Sequence, residues 1–203
     1  MTRGKLFVIS GPSGTGKGTI CKELLGRRED IKLSISMTTR QPREGEEHGV
    51  HYYFSDKDGF EKLISAGGFI EYADVYGNFY GTPRKQVEEW LEKGIDVLLE
   101  IDVQGALQVK ENFPESILIF VLPPSIEILR QRLVGRGTDE TEVIERRMAN
   151  AVNEISLVGK YDYAVVNDIL EDAVDAVEFM ILSERCRMND EQAATIVGRY
   201  KED

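Results

Sequence analysis

The chain has 203 residues, 41% of them hydrophobic, which suits one globular core with insertions better than two full domains. Its 36 acidic and 25 basic residues give a formal charge of −11, which argues against nucleic acid or an anionic membrane as a partner. Cys21 and Cys186 have neither paired spacing nor a histidine cluster, so no disulfide framework or zinc site is predicted. The longest apolar runs have the length of strands, and we expect a cytoplasmic protein.

Segments rich in β-branched and aromatic residues alternate with helical segments along the chain. The predicted strands are KLFVIS at 5–10, LSISMTT at 33–39, HYYFS at 51–55, FIEYADVYGNFYG at 69–81, IDVLLEIDV at 95–103, SILIFVL at 116–122 and DYAVVN at 162–167. The predicted helices cover 17–28, 56–66 with Ser55 as its cap, 83–93, 125–134, 139–158 and a long C-terminal region. This alternation predicts an α/β fold with a doubly wound parallel sheet.

A glycine-rich loop lies between the first predicted strand and helix. Its sequence GPSGTGKG has the GxxxxGK spacing of a phosphate-binding loop, or P-loop, in which backbone N–H groups and the positive end of a helix hold phosphate oxygens. The lysine adds charge for the β- and γ-phosphates. The candidate ATP-binding residues here are Gly11, Pro12, Ser13, Gly14, Thr15, Gly16, Lys17, Gly18 and Thr19.

Gly18 stands where the general P-loop pattern has Ser or Thr. We therefore expect Mg²⁺ to be held mainly by nucleotide phosphates and water, with Thr19 or Asp102 contacting its water shell. Because the chain is acidic overall, an anionic ligand also needs a local cluster of arginines. One cluster is Arg40 and Arg43, and a second lies at 130–147, where interleaved acids also fit a solvated face.

The motifs together resemble one family. GPSGTGKGT, SMTTRQPREGE, HYYF, FIEYADVYGNFYGTP, EIDVQG and RLVGRGTDE are similar to the corresponding segments of guanylate kinases over nearly the whole chain. This resemblance implies transfer of the γ-phosphoryl of ATP to GMP, and to dGMP, with Mg²⁺ as cofactor. It also implies a P-loop core at 1–35, 83–124 and 159–203, an inserted mixed-β subdomain that binds GMP at 36–82, and a helical lid at 125–158. The subdomain and the lid are expected to close onto the core by hinge rotation.

The resemblance assigns the GMP site to the inserted segment and the end of one core strand. Arg40, Arg43, Tyr52 and Tyr80 are expected to bind the GMP phosphate. Glu71 is expected to accept from guanine N1–H and N2–H₂, with Ser36 and Thr82 reading O6 and N7. Strand alternation places Glu100 and Asp102 on one side of the strand, and Asp102 is the stronger candidate for contact with guanine or the hydrated metal.

The second arginine cluster is expected to act on ATP. Arg132 would flank the adenine, and Arg136 and Arg147 would neutralise the transferring phosphoryl group together with Lys17. Arg130 and Arg146 are expected to be solvated neighbours, and the glycines of GRGTDE at 135–140 to form a hinge. Asn167 would touch the adenine or ribose, although an Asn before a helix also fits a turn.

Two alternatives remain open from the sequence. Some guanylate-kinase-like domains are protein-binding modules in longer scaffolds, but these need not keep a complete P-loop and lid arginines, as this chain does. An enzyme of the same fold acting on AMP or dTMP is opposed mainly by Glu71 and its neighbours. The expected ligands are ATP and GMP, and the protein could be a monomer or a homo-oligomer.

Overall fold

A computed structural model describes residues 3–75, 77–135, 141–188 and 190–201. Its strands are β1 Leu6–Ser10, β2 Ile31–Leu33, β3 Met37–Thr38, β4 Tyr53–Phe54, β5 Phe69–Val75, β6 Asn78–Pro83, β7 Asp96–Glu100, β8 Ile117–Leu122 and β9 Tyr163–Val166. Its helices are α1 Lys17–Arg27, α2 Lys57–Ser65, α3 Arg84–Glu92, α4 Val103–Asn112, α5 Ile126–Val134, α6 Thr141–Ile155, α7 Leu170–Cys186 and α8 Asp190–Arg199, with a 3₁₀ turn at Val158–Lys160. The predicted α/β class is confirmed.

The larger sheet is parallel and has the spatial order β2, β7, β1, β8, β9. Its strands are continuous apolar runs because helices cover both faces. One face packs on α1 and α7 through residues such as Leu24 and Val177, and the other packs on α3 and α4 through residues such as Leu91 and Val109. The chain leaves β1 toward β2 and later returns to β7 and β8 on either side of β1. The P-loop therefore opens at the carboxyl edge, where ligands of such sheets bind.

The second sheet is mixed and has the order β4, β3, β6, β5. Strand β3 pairs parallel with β4 and antiparallel with β6, and β5 pairs antiparallel with β6. The β5–β6 register places Glu71 opposite Thr82. Phe60 of α2 stacks on Phe69, with ring centroids 4.3 Å apart, and on Phe79, so aromatic packing holds the helix against this sheet. The predicted inserted mixed-β unit is confirmed.

Three local predictions need correction. The segment 33–39 is not one strand, because Leu33 ends β2 in the parallel sheet whereas Met37 begins β3 in the mixed sheet. Ser55 does not cap α2; Asp56 does, since its carboxylate accepts a hydrogen bond of 2.7 Å from the N–H of Gly59. Asp102 lies beyond the end of β7 and caps α4, so strand alternation does not explain its position.

Helices α5 and α6 pack on each other through Leu129, Leu133, Ile144 and Met148. Residues 136–140 of the chain between them, which include Arg136 and most of the expected hinge, lie outside the described residues. In the part of the chain that the structure describes, no helix is both long enough and apolar enough to cross a bilayer.

The capping assignment predicts a difference between two neighbouring positions. Asp56→Ala should lower the free energy of unfolding by about 1 kcal/mol, because it removes the acceptor for an N–H group of the first turn of α2. Ser55→Ala is the matched control and should leave stability nearly unchanged. Urea unfolding followed by circular dichroism measures both. A larger loss in the Ser55 variant would contradict the assignment.

Candidate functional site

The glycines of the P-loop adopt the backbone that this loop needs. Gly11, Gly14 and Gly16 have φ values of 138°, 93° and 92°, in a region that L-residues with side chains rarely adopt. A Cβ at Gly11 would lie 2.4 Å from the carbonyl oxygen of Val121, so the loop also packs closely on β8. The hydroxyl of Thr15 donates to the carbonyl of Pro12 at 2.9 Å and closes the turn. The loop is thus fixed before any ligand binds.

Lys17 begins α1 and folds over the loop. Its Nζ donates to the carbonyl oxygens of Gly11 and Pro12 at 2.7 and 3.0 Å. Burial lowers the pKa of this ammonium group, and the nearby charges of Glu100, Glu154 and Asp102 oppose the shift. Because the ammonium group of Lys17 donates to carbonyl oxygens of the loop, it can exchange them for phosphate oxygens.

The structure gives a physical reason for Gly18. A Cβ at this position would lie 3.2 Å from Oε1 and 3.4 Å from Oε2 of Glu100, so glycine leaves room for that carboxylate beside α1. The side chain of a serine or threonine would crowd this carboxylate. Burial raises the pKa of Glu100, and the adjacent Lys17 opposes this shift.

A cavity of about 230 Å³ separates the mixed sheet from the edge of the parallel sheet. Its walls bring together polar side chains from elements far apart in sequence. Five of the side chains that line it were predicted to bind GMP, namely Ser36, Tyr52, Glu71, Tyr80 and Asp102. Glu100, the neighbour of Asp102 on the same strand in that prediction, lines it as well. The structure therefore gathers most of the predicted GMP site around one cavity.

Glu71 is the buried carboxylate of this cavity, with 6% of its surface exposed. The hydroxyl of Thr82 donates to its Oε1 at 2.6 Å. Thr82 is itself buried, so in this state its hydroxyl orients Glu71. Removal from water raises the pKa of Glu71 to about 7, partly offset by the Thr82 hydrogen bond, and the charge of Asp102 adds to the increase.

Gly105, at the start of α4, lets two carboxylates approach each other. Its N–H donates to Oδ1 of Asp102 at 2.8 Å, and a Cβ would lie 3.0 Å from Oε2 of Glu71. The glycine of EIDVQG is therefore needed for space at the cavity wall. Sequence reasoning assigned no role to it.

Arg40 is oriented by three acceptors. Its Nη2 donates to both oxygens of Glu46 at 2.8 and 3.0 Å, its Nε donates to the hydroxyl of Tyr80 at 3.2 Å, and its Nη1 donates to the carbonyl of Gln41. The guanidinium also lies over the ring of Tyr52, 5.5 Å from its centroid. The hydrogen bond from Arg40 lowers the pKa of Glu46 to about 2. Arg40, Tyr52 and Tyr80 thus lie in one cluster, and Glu46 is a member that sequence reasoning missed.

Arg43 follows on the same loop. Its backbone N–H donates to Oε2 of Glu46 at 2.8 Å, and the residue is exposed. Both arginines therefore flank the same carboxylate.

The expected ATP-binding residues outside the loop divide into two groups. Arg132 and Asn167 meet each other, since Nη2 of Arg132 donates to the carbonyl of Asn167 at 2.9 Å. Arg147 lies partly exposed on α6, whereas Arg136 lies outside the described residues. Arg130 forms an exposed ion pair with Glu145, in keeping with its predicted place on a solvated face.

Glu154 of α6 is a further site residue that sequence reasoning missed. It interacts electrostatically with Lys17 and Asp102, and burial raises its pKa. Nothing in the sequence distinguishes it from the other acids of α6, because only the packing of that helix brings it to the P-loop. Within the described ranges, no group of three or more His, Cys, Asp or Glu side chains could hold a metal ion unaided.

Comparison with known proteins supports one family. The family model for guanylate kinase matches residues 3–184. The chain belongs to the guanylate kinase family. The guanylate kinase of Clostridium tetani is 56% identical over 93% of this chain and 90% of its own length. That of Clostridioides difficile is 50% identical over 99% of this chain and 98% of its own.

A solved structure agrees with this family assignment. The crystal structure of guanylate kinase from Anaplasma phagocytophilum superimposes with a TM-score of 0.74 at 38% identity, covering 92% of this chain and 89% of the other. The resemblance predicted from the motifs is confirmed.

Burial of the Glu71 carboxylate predicts a pH-dependent cost in stability. Its pKa rises from 4.5 to about 7 on folding, so the folded state binds more protons and stability falls as pH rises through this interval. Glu71→Gln removes the titration and keeps an acceptor for Thr82. At pH 8 it should raise the free energy of unfolding by roughly 2–3 kcal/mol, and the gain should vanish below about pH 4.5.

Urea unfolding of both proteins from pH 4.5 to 8 measures this difference. Glu111→Gln, at an exposed glutamate of α4, is the control and should show no such gain. A Glu71→Gln protein that is no more stable than the parent at pH 8 would contradict the burial argument.

Proposed function

We propose that the chain transfers the γ-phosphoryl group of ATP to GMP, giving ADP and GDP, at the carboxyl edge of the parallel sheet. The observation that supports this proposal most directly is the cavity between the two sheets, which is lined by the buried Glu71, by Tyr52 and Tyr80, and by Glu100 and Asp102. Tyr80 accepts a hydrogen bond from Arg40, and the charges of Glu100 and Asp102 act on Lys17. Membership of the guanylate kinase family supports the same activity.

The P-loop would bind the triphosphate of ATP. Its backbone N–H groups and the amino end of α1 provide donors and a favourable field, and Lys17 supplies charge where the β- and γ-phosphates lie. Arg136 and Arg147 of the proposed lid, 125–158, would neutralise the charge that spreads over the transferred phosphoryl group. Closure of this lid and of the subdomain 36–82 onto the core would exclude water.

The arginine and tyrosine cluster would bind the phosphate of GMP. Arg40 and Arg43 carry permanent charge, and the hydroxyls of Tyr52 and Tyr80 are donors in the same cluster. Glu46 keeps the Arg40 guanidinium beside Tyr80, so the phosphate meets an oriented fork rather than a free side chain.

Glu71 would select the base. Guanine presents N1–H and N2–H₂ as adjacent donors that match one carboxylate, whereas adenine presents a lone pair at N1 and no amino group at position 2. Ser36, which lines the cavity, would donate to guanine O6, while Thr82 would contribute to the same edge and hold Glu71. Binding of AMP would leave a buried charge unpaired.

Mg²⁺ fits the chemistry of this site. Glu100 and Asp102 provide hard oxygen donors near Lys17, and Thr19 adds an exposed hydroxyl on α1, so these residues would hold its water shell while nucleotide phosphates supply direct ligands. When bound, the ion neutralises phosphate charge. No residue is needed as a general base, because an ionised phosphate oxygen of GMP is already a nucleophile.

A coupled assay of ADP release tests the proposed function. GMP and dGMP should be phosphorylated, whereas AMP and UMP should have specificity constants lower by two to four orders of magnitude, since roughly 1.5–3 kcal/mol is lost for each charge-assisted hydrogen bond. Without an acceptor, ADP release should be close to background. Equal rates with GMP and AMP would refute the proposed base selection, and the absence of transfer to any nucleotide would refute the enzyme.

Lys17→Ala should lower turnover at least about 100-fold while the protein stays folded, because it removes charge that stabilises the transferring phosphoryl group. Lys22→Ala, at an exposed lysine of the same helix, is the matched control and should retain parental turnover. Initial rates at saturating ATP and GMP measure both substitutions. Near-parental turnover of the Lys17→Ala protein would show that the triphosphate lies elsewhere.

A double-mutant cycle tests the contact between Glu71 and guanine. Inosine monophosphate keeps N1–H but lacks the N2 amino group, so the parent should use it less well than GMP. In Glu71→Gln this penalty should shrink, because the same contact is already damaged, which gives a coupling on the order of 1 kcal/mol or more. Specificity constants for both nucleotides with both proteins complete the cycle. A coupling of zero within error would make Asp102 the leading candidate for reading the guanine edge.

A further inference from the structure

Asn167 follows the outer strand β9 and is bonded to the end of β8, the strand beside β1. Its backbone N–H donates to the carbonyl of Leu122, at the end of β8, at 2.9 Å. It is also buried, with 6% of its surface exposed. A side chain held in this way can support a neighbouring loop.

The side chain of Asn167 contacts the P-loop directly. Its Nδ2 donates to the carbonyl oxygen of Thr15 at 2.8 Å in a buried hydrogen bond. A Cβ at Gly16 would lie only 2.3 Å from the same Nδ2, so the amide packs against the backbone of the residue before Lys17. Gly16 is therefore required both by its φ of 92° and by this contact.

This contact sets the direction of a loop donor. The peptide joining Thr15 to Gly16 is planar and trans, so its carbonyl and its N–H point in opposite directions. Because Asn167 holds the carbonyl oxygen of Thr15, the N–H of Gly16 points away from Asn167. A backbone N–H fixed in this direction is a donor for a phosphate oxygen in the loop.

Helix α5 supports the same arrangement. Arg132 of α5 donates to the backbone carbonyl of Asn167 at 2.9 Å. A Cβ at Gly14 would lie 3.0 Å from a side-chain carbon of Leu129 and 3.0 Å from one of Leu133, so α5 also packs closely on the loop. Helix α5 therefore contacts the loop at Gly14, and Asn167 contacts it at Thr15 and Gly16.

We propose that Asn167 is a positioning residue for the triphosphate, acting through the Thr15–Gly16 peptide and independently of the base. This differs from the role in adenine or ribose binding that the sequence suggested for it. The inference rests on the proposed function in one respect, namely that the P-loop binds a triphosphate.

Calorimetric titration with three ligands tests this inference. Asn167→Ala should weaken binding of inorganic triphosphate, ATP and CTP, each with Mg²⁺, by the same factor of about three- to tenfold, the equivalent of one neutral hydrogen bond. The KM for GMP should not change. Asn112→Ala is the matched control, because it removes another amide-to-carbonyl bond of 2.8 Å, to Ile70, and it should bind triphosphate as the parent does.

Asn167→Ser provides a second substitution. Its side chain is polar but too short to reach Thr15, so it should show the same uniform weakening. A loss confined to ATP would overturn the inference in favour of adenine binding, and unchanged affinity for all three ligands would overturn it as well. If the parent binds none of the three ligands, both the proposed function and this inference are contradicted.

Discussion

Charge is the main constraint on this site. A chain with a formal charge of −11 places Glu71, Glu100 and Asp102 around the cavity where two phosphorylated nucleotides are proposed to meet. In the proposed function, each nucleotide therefore has its own cationic group. Backbone donors and Lys17 would bind the triphosphate of ATP, and the arginine cluster beside Glu46 would bind the phosphate of GMP. Lys17 and Arg40 are oriented before ligand arrives, so less ordering is left for the binding step.

The mixed sheet carries Glu71, whose burial costs the fold more stability than any other feature of the site discussed above. Pairing of β5 with β6 places the Glu71 carboxylate beside Thr82 and away from water, which disfavours its charged form. Such a group lowers stability as pH rises above about 4.5, and it is retained in the proposed function because a guanine edge can satisfy it. Stability and base selection therefore oppose each other at one residue.

The α/β class, the parallel sheet and the P-loop could be predicted because they depend on local periodicity and closely spaced motifs, whereas the inserted mixed-β unit was expected from the family resemblance. Most of the GMP site followed from the family resemblance. Other features depend on packing between distant segments: Glu154 reaches Lys17 only through the orientation of α6, and Gly18 makes sense only beside Glu100. The contact of Asn167 with Thr15 spans 152 residues, and no sequence pattern indicates it.

Guanine recognition in the proposed function depends on the ionised carboxylate of Glu71. Its pKa of about 7 means that the free protein is largely protonated there at pH 6.5, so GMP binding should release this proton. Calorimetry in buffers of different ionisation enthalpy counts the protons released, and the same titration of Glu71→Gln gives the contribution of the GMP phosphate. We expect the parent protein to release more protons per GMP than Glu71→Gln does, by roughly half a proton or more. Equal proton release by both proteins would contradict it.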